Sequence, residues 1–438
     1  MKSIWIESVK RPAFKQLKGD ATTDVLIIGG GIAGILCAYK LKQAGVDCML
    51  LEADQICSGV TQNTTAKITL QHGLIYHKMI GRFGREKACR YLHAQKIAME
   101  QYRTMCGTIP CDYEEKDAYV YSLDDSNIVR QEVAALNSIG CAADFVANLP
   151  LPISVAGAVR VEGQAQFHPL KFIYALAKDL PIYEHTKVLE LSPKEVITNH
   201  GKIRPKKIIV ATHFPLLNKH GSYFIKLYQH RSYVIALENG PNVEGMYVDE
   251  NHKGMSFRNY RGKLLLGGGG HRTGKQGGGW QELESFARRN YPEARILGRW
   301  ATQDCMTLDS IPYIGRYSAS TPNLFVATGF NKWGMTSSMV AAMLLADLVQ
   351  DKPNDYAEVF SPSRSILRPQ LAANVAESLI GLLTPTTPRC PHLGCALKYN
   401  PQEHSWDCGC HGSRFTETGE LIDNPATDDK ARMPQPPK

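Results

Sequence analysis

Residues 22–54, TTDVLIIGGGIAGILCAYKLKQAGVDCMLLEAD, leave this chain few ways to begin folding. Val25 to Ile28 is a short apolar run of the kind buried in a parallel strand. Gly29-x-Gly31-x-x-Gly34 follows, and Ile35, Leu36, Ala38 and Leu41 then recur on one helical face. Gly45 ends that helix, Val46 to Leu51 reads as a second strand, and Glu52 closes it. Each glycine has a mechanical reason. Gly29 permits the tight turn, Gly31 lets the backbone approach a pyrophosphate, and Gly34 lets helix and strand pack closely. The helix start offers free N–H groups and a positive dipole end, and Glu52 can accept hydrogen bonds from ribose hydroxyls. An adenine dinucleotide is expected here, and a 2′-phosphate is disfavoured by the acid.

The rest of the chain bounds the answer. Its 438 residues predict two or three domains. The composition, 43% hydrophobic and 21% charged, is that of a globular protein. The first nineteen residues hold no apolar core of a signal peptide, and no run is long enough to span a membrane. Eight of the twelve cysteines are scattered before residue 306 without framework spacing, which predicts free thiols in a reducing cytoplasm. The net charge of +8 divides unevenly. From Thr384 onward six basic and seven acidic residues give −1, so the body carries +9. An anionic ligand of the body is expected, with no stripe for nucleic acid.

Later segments separate the possible dinucleotides. SGVTQNTTAKITLQHG, after the second strand, is a polar loop suited to a phosphate chain. KKIIVATHFP (206–215) is another buried strand, and residues 323–349 repeat strand, glycine turn and helix. Together GGGIAG with Glu52, TTAKIT, IIVATH, MTLDSIPYIGR and TGFNKWGMT resemble the D-amino-acid oxidase/glycine oxidase superfamily of FAD-dependent oxidoreductases, over about residues 20–350. The resemblance implies FAD, a Rossmann-like parallel sheet interleaved with an antiparallel substrate domain, and oxidation of a C–N bond in an amine or amino acid. It implies adenine near Val188 and the flavin carbonyl edge near Gly334, Met335 and Thr336. Thr61, Thr65, Ala66, Lys67, Ala211 and Gly329 join Gly29, Gly31, Gly34 and Glu52 as expected cofactor contacts. The second glycine cluster, KLLLGGGGHRTGK (263–275), reads as a strand end close to the flavin, with His271 and Arg272 as candidate catalytic residues beside the substrate. Arg272 could clamp a carboxylate with two hydrogen bonds. Cys305 is not expected to link the flavin covalently.

The stretch CPHLGCALKYNPQEHSWDCGCHGSRF has a different character. Cys390-x-His392 and Cys408-x-x-His411 each offer one thiolate and one imidazole. That order is wrong for a finger with a Cys pair followed by a His pair, though a structural zinc stays open. It suits a two-iron cluster with two thiolates on one iron and two imidazoles on the other. His404 falls at a hairpin tip and is expected to be a bystander.

CPHLGC and CGCHGS resemble the two boxes of Rieske [2Fe–2S] domains, over roughly residues 388–428, with Pro391, Gly409 and Asn424 as departures from the common pattern. The resemblance implies Cys390, His392, Cys408 and His411 as ligands, a disulfide between Cys395 and Cys410, and a small all-β domain. Imidazole ligation raises the potential of such a cluster to about −150 to +300 mV.

The expected organisation is an FAD and substrate domain over 1–355, a docking helix and linker over 356–387, and a Rieske domain over 388–438. Leu, Ile and Val in the helix around 370–383 are expected to pack on the FAD body. The whole reads as an FAD-dependent dehydrogenase that passes electrons through the cluster to an external one-electron carrier. A reductase running the other way, or a carrier or sensor without a substrate, stays open. A Rieske oxygenase fits poorly, because it needs a separate mononuclear iron held by two His and a carboxylate.

Overall fold

The computed structural model describes residues 2–217, 220–251, 254–386, 388–427 and 433. The polar, proline-rich end of the chain lies mostly outside them. Three sheets organise the molecule.

The first has eight strands. Strand Ala21–Ile28 lies at its centre, parallel to Gly201–Val210 on one side and to Cys48–Leu51 on the other. Leu324–Thr328 and Ile182–Tyr183 continue the parallel order outward. Successive residues of a strand face opposite ways, so Val25 and Ile27 join one buried cluster and Leu26 and Ile28 another. Burial on both faces explains the unbroken apolar run. Helices Ile32–Gln43 and Gly334–Leu348 pack on each other over the first cluster, and both begin at the end of a parallel strand.

The second sheet has nine strands and is mainly antiparallel. Its long strands Leu227–Glu238 and Arg295–Thr307 pair along almost their whole length, and Lys263–Arg272 flanks the former. This is the antiparallel substrate sheet that the sequence predicts beside a parallel one.

The third sheet is small and antiparallel, with strands Leu397–Asn400, Ser405–Cys408, Arg414–Thr416 and Leu421–Asp423. Its buried apolar cluster has eight members, and Cys390, Cys395, Cys408 and Cys410 are four of them. A domain this small has too little apolar surface to hold itself together without a staple. The thiols stand where a metal centre would provide one.

Helix Pro369–Leu383 corrects an expectation. It docks through its polar stripe, not through its aliphatic residues. Asn374 is its one buried residue and donates to the Ile225 carbonyl at 3.2 Å. Glu377 pairs with Lys275 at 2.7 Å. Leu379, Ile380, Leu382 and Leu383 face outward. At Gly381 the inward stripe must be small, because a Cβ there would overlap the sulfur of Cys410.

Candidate cofactor sites and the seam between them

One cavity of about 540 Å³ runs between the two large sheets. Gly29, Gly31 and Ala33 form its wall at the first helix start, with Thr61 beside them. Glu52 and Val188 line one end, and Thr65, Lys67, Ala211, Gly329, Gly334 and Met335 line the other parts. The glycines behave as their spacing predicts. Gly29 has φ +110°, and a Cβ there would meet the Ala211 carbonyl carbon at 2.8 Å. A Cβ on Gly34 would overlap the Gly29 carbonyl, so Gly34 serves helix–strand packing and does not line the cavity. A Cβ on Gly31 would meet only Thr61 Oγ1, at 3.5 Å. The backbone is therefore bare where a pyrophosphate would approach.

Glu52 is held ready for a ligand. Its Oε2 accepts from the Gly30 N–H at 2.7 Å and its Oε1 from the Asp54 N–H at 2.9 Å. Burial pushes its carboxyl up, and those two N–H groups pull it back. Lys67 donates to Thr65 Oγ1 at 3.1 Å. Burial, with Arg258 nearby, lowers its ammonium to about 7.

Two expected contacts lie behind the cavity wall. The Ala66 carbonyl accepts from Arg258 at 3.1 Å. Thr336 Oγ1 is taken up by the Thr69 carbonyl at 3.1 Å and by His72 at 3.0 Å. The antiparallel sheet supplies the opposite wall. Ser232 and Thr302 are cross-strand partners there, and both line the cavity. Neither hydroxyl has a hydrogen-bond partner among the described residues. A buried hydroxyl left unpaired is costly unless something bound satisfies it. Sequence reasoning missed this pair, because lone Ser and Thr residues in a strand carry no signal.

The two box loops come together, and the tightest sulfur group joins Cys408 to the two cysteines expected to form a disulfide. The sulfurs of Cys395, Cys408 and Cys410 lie within 4.8 Å of one another. Cys390, Cys395 and Cys410 all reach Cys408 as thiol hydrogen-bond partners, and together they pull its thiol well below its ordinary range. The rings of His392 and His411 stand 5.0 Å apart, almost perpendicular. Burial lowers both imidazoles, His392 to about 4, with His411 as the further cause for His392. Neutral imidazoles are what a metal requires. Among the described residues neither ring nitrogen of the buried His411 has an ordinary hydrogen-bond partner, although the Phe224 backbone lies near enough to favour the charged form. An ionisable thiol, its neighbours and an unsatisfied neutral imidazole fit a [2Fe–2S] centre with mixed ligation. The expected Cys395–Cys410 disulfide is not formed: both are free thiols, close enough to share one hydrogen-bonded cluster with Cys408. His404 is an exposed hairpin residue, as its position predicts.

The imidazole side of this site faces the large domain. Phe214 stands edge-on to His392 with ring centroids 6.4 Å apart, and Phe224 stands likewise to His411 at 6.3 Å. Asn424 donates to the carbonyls of Thr212 and Phe214 at 2.8 and 3.1 Å, and its own carbonyl accepts from Gln229 at 2.7 Å. Leu421 to Asn424 thereby form part of the wall of the large cavity, opposite Ala211 and Thr212. The two candidate sites share a wall.

His271 and Arg272 belong to this seam and not to the cavity lining, which is a further correction. Arg272 donates to the carbonyls of Gly409 and Cys410 at 3.2 and 3.1 Å and to Asn374 Oδ1 at 3.0 Å. His271 bonds the Tyr233 hydroxyl at 2.9 Å, and that hydroxyl donates to Glu403 at 2.9 Å. The glycine-rich segment divides accordingly. Gly267 and Gly268 line the cavity, whereas a Cβ on Gly274 would strike the backbone of Gly409. The seam closes on a charged centre. Arg231, from the antiparallel sheet, and Arg414, from the small one, both bind Glu403, and Arg414 also holds Asp407 at 3.0 Å and Asp423 at 3.0 Å.

Comparison with known proteins agrees with this geometry. The family model described as FAD dependent oxidoreductase matches residues 24–348, and that of the Rieske [2Fe-2S] domain matches residues 379–435. The chain is 35% identical to a putative Rieske 2Fe-2S iron-sulfur protein, YhfW, of Bacillus subtilis (strain 168), over 97% of this chain and 96% of the relative. It is 23% identical to gamma-glutamylputrescine oxidoreductase of Escherichia coli (strain K12), over 78% of this chain and 87% of that one. Glycine oxidase from Geobacillus kaustophilus has a similar fold, with a TM-score of 0.65 and 20% identity, covering 79% of this chain and 99% of the oxidase.

Proposed function

Because the chain belongs to the family of FAD-dependent oxidoreductases and carries a Rieske [2Fe-2S] domain, we propose that it is a dehydrogenase of a small amine or amino acid whose electrons leave through the cluster to an external one-electron carrier. The observation that carries this reading is the shared wall: Asn424 and its neighbours line the large cavity, and Asn424 also bonds the carbonyl of Phe214, whose ring meets His392. The relatives named for glycine and for gamma-glutamylputrescine support a substrate with a C–N bond. When bound, FAD supplies two-electron acceptance from such a carbon and the cluster supplies one-electron transfer.

The chain's own residues bind and orient. Gly29 and Gly31 admit the pyrophosphate, Glu52 accepts from the ribose, and Val188 borders the adenine. The start of helix Gly334–Leu348 turns backbone N–H groups toward the pyrimidine edge, where a positive dipole end favours negative charge. Lys67, its ammonium lowered to about 7, is partly protonated at neutral pH and adds that much positive charge to the cavity wall. Ser232 and Thr302 offer hydroxyls to a polar substrate group, the task expected of His271 and Arg272. Cys390, His392, Cys408 and His411 hold the cluster.

The test is anaerobic mixing of the purified holoprotein with a panel of amines and amino acids. The expected result is bleaching of the flavin band, followed by the EPR signal of a reduced cluster with average g below 2. Bleaching by a reduced one-electron carrier, with none by any amine or amino acid, would reverse the direction and make the protein a reductase.

A further inference from the structure

Helix Pro369–Leu383 is amphipathic in the wrong sense for a helix that ends at a protein surface. Its polar residues Asn374 and Glu377 point inward, where they hold Ile225, Arg272 and Lys275. Its outward face carries Val375, Ala376, Leu379, Ile380, Leu382 and Leu383. Leu379 and Ile380 are just over half exposed and Leu383 is 79% exposed. At 100° per residue these positions cover about half of the helix circumference. Leu367, 77% exposed before the helix, and Leu393, 42% exposed in the first box loop, extend the patch at both ends. A contiguous aliphatic patch of this kind on a soluble body marks an interaction surface.

Charge and area decide what covers it. Between residues 365 and 398 the charged side chains are Arg368, Glu377, Arg389 and Lys398. Glu377 is turned inward onto Lys275 and Arg368 lies over the Phe83 ring with its Nε buried, so the exposed charges beside the strip are Arg389 and Lys398, both cationic. Arg389 sits at the helix end, bonding the Leu382 and Thr384 carbonyls at 2.9 and 2.7 Å. The body behind it carries the chain's positive charge excess. Fifteen residues make a strip about 22 Å long and about 10 Å wide. That is far short of the ~800 Å² per partner of a stable protein interface. The strip is also convex and purely aliphatic, without the Tyr, Trp or Met that protein interfaces favour. A half-cylinder of Leu, Ile and Val flanked by arginine and lysine suits the boundary of an anionic bilayer.

We propose that the outward face of helix 369–383 docks the protein peripherally on a membrane surface rich in anionic lipid. The inward face of the same helix touches the Cys410 loop. Docking therefore sets the cluster site about one helix diameter from the lipid. The proposal concerns where the protein sits and is independent of which substrate it oxidises.

The experiment is co-sedimentation of the holoprotein with vesicles of phosphatidylcholine alone or with about one third phosphatidylglycerol, alongside size-exclusion chromatography. The expected result is at least tenfold stronger binding to the anionic vesicles, weakened by salt. The double variant Leu379→Glu, Leu383→Glu should lose that binding with flavin and iron content unchanged. Should the variant not fold, hydrogen exchange of the wild type reads the same point: residues 369–383 should gain protection on anionic vesicles. Absence of binding to either vesicle overturns the proposal. So does a wild-type dimer that becomes monomeric in the variant, which would assign the face to a second copy.

Discussion

Glu403, on the hairpin of the small sheet, is bound by Arg231, on strand Leu227–Glu238 of the substrate sheet, through two hydrogen bonds, of which Nε to Oε1 is 3.0 Å. Only 8% and 4% of the two side chains are exposed. A bidentate pair buried between domains fixes orientation as well as distance. With Arg414 on its other side, Glu403 sets how the cluster loops face the large cavity.

Glu403→Gln should leave the buried Arg231 with only the more distant carboxylate of Asp423, at 3.8 Å. Breaking one partner of such a pair typically costs about 3–5 kcal/mol. Urea unfolding followed by the visible circular dichroism of the cluster should show a loss of that size. A change below about 1 kcal/mol would mean that the pair contributes little to docking.

The same pair sets an acid limit. Burial alone would raise the Glu403 carboxyl, but Arg231 and Arg414 outweigh it and hold it down at about 2, against 4.5 for the free residue. A depressed carboxyl stabilises fully above its unfolded value and loses that contribution as pH falls through its folded value. Docking stability should therefore be level from neutral pH down to about 5 and fall between about 4.5 and 2. Glu403→Gln should remove that part of the acid dependence, as read by thermal melts at stepped pH.

Gly274 and Gly262 both adopt positive φ, +75° and +74°, but only Gly274 faces another backbone, with Gly409 Cα 2.5 Å from a built Cβ. Alanine at either position carries the same conformational strain. Gly274→Ala should slow transfer between flavin and cluster by tenfold or more in stopped-flow absorbance. Gly262→Ala should leave it within twofold. Equal effects would show that the approach of Gly274 to Gly409 does not matter.

Arg272 is committed to the Gly409 and Cys410 carbonyls. Arg272→Ala should leave the KM of the oxidised substrate within about twofold while slowing cluster reduction. A tenfold rise in KM with unchanged cluster reduction would restore it to the substrate.

Cys408 lies among three other thiols and outside the wall of the large cavity. Cys408→Ser should abolish the EPR signal of the reduced cluster and release the iron, with flavin still bound in stoichiometric amount. Joint loss of both cofactors would indicate that the small domain is needed to close the FAD site.

Much of this protein is decided locally and is therefore legible in its sequence. A strand, a glycine turn and a helix within thirty residues fix the first cofactor site. Two short loops of paired thiol and imidazole fix the second. Spacing is enough there, because the groups that cooperate are near neighbours or lie at the ends of neighbouring strands. The sequence also shows that helix 369–383 has an apolar side.

It does not show which way that side points. Apolar residues were expected to turn inward, and the fold overrides this. Gly381 lies against Cys410, Asn374 meets Arg272, and Glu377 meets Lys275. The seam is equally silent in sequence. Arg231 and Glu403 are 172 residues apart, and Arg272 and Cys410 are 138 apart. Pairings at such separations follow no period, so only the packing of one sheet on another brings them together. The sequence by itself determined which cofactors this chain can hold. Tertiary structure decided how the two sites face each other, because that depends on distant side chains that become partners only after both domains have formed.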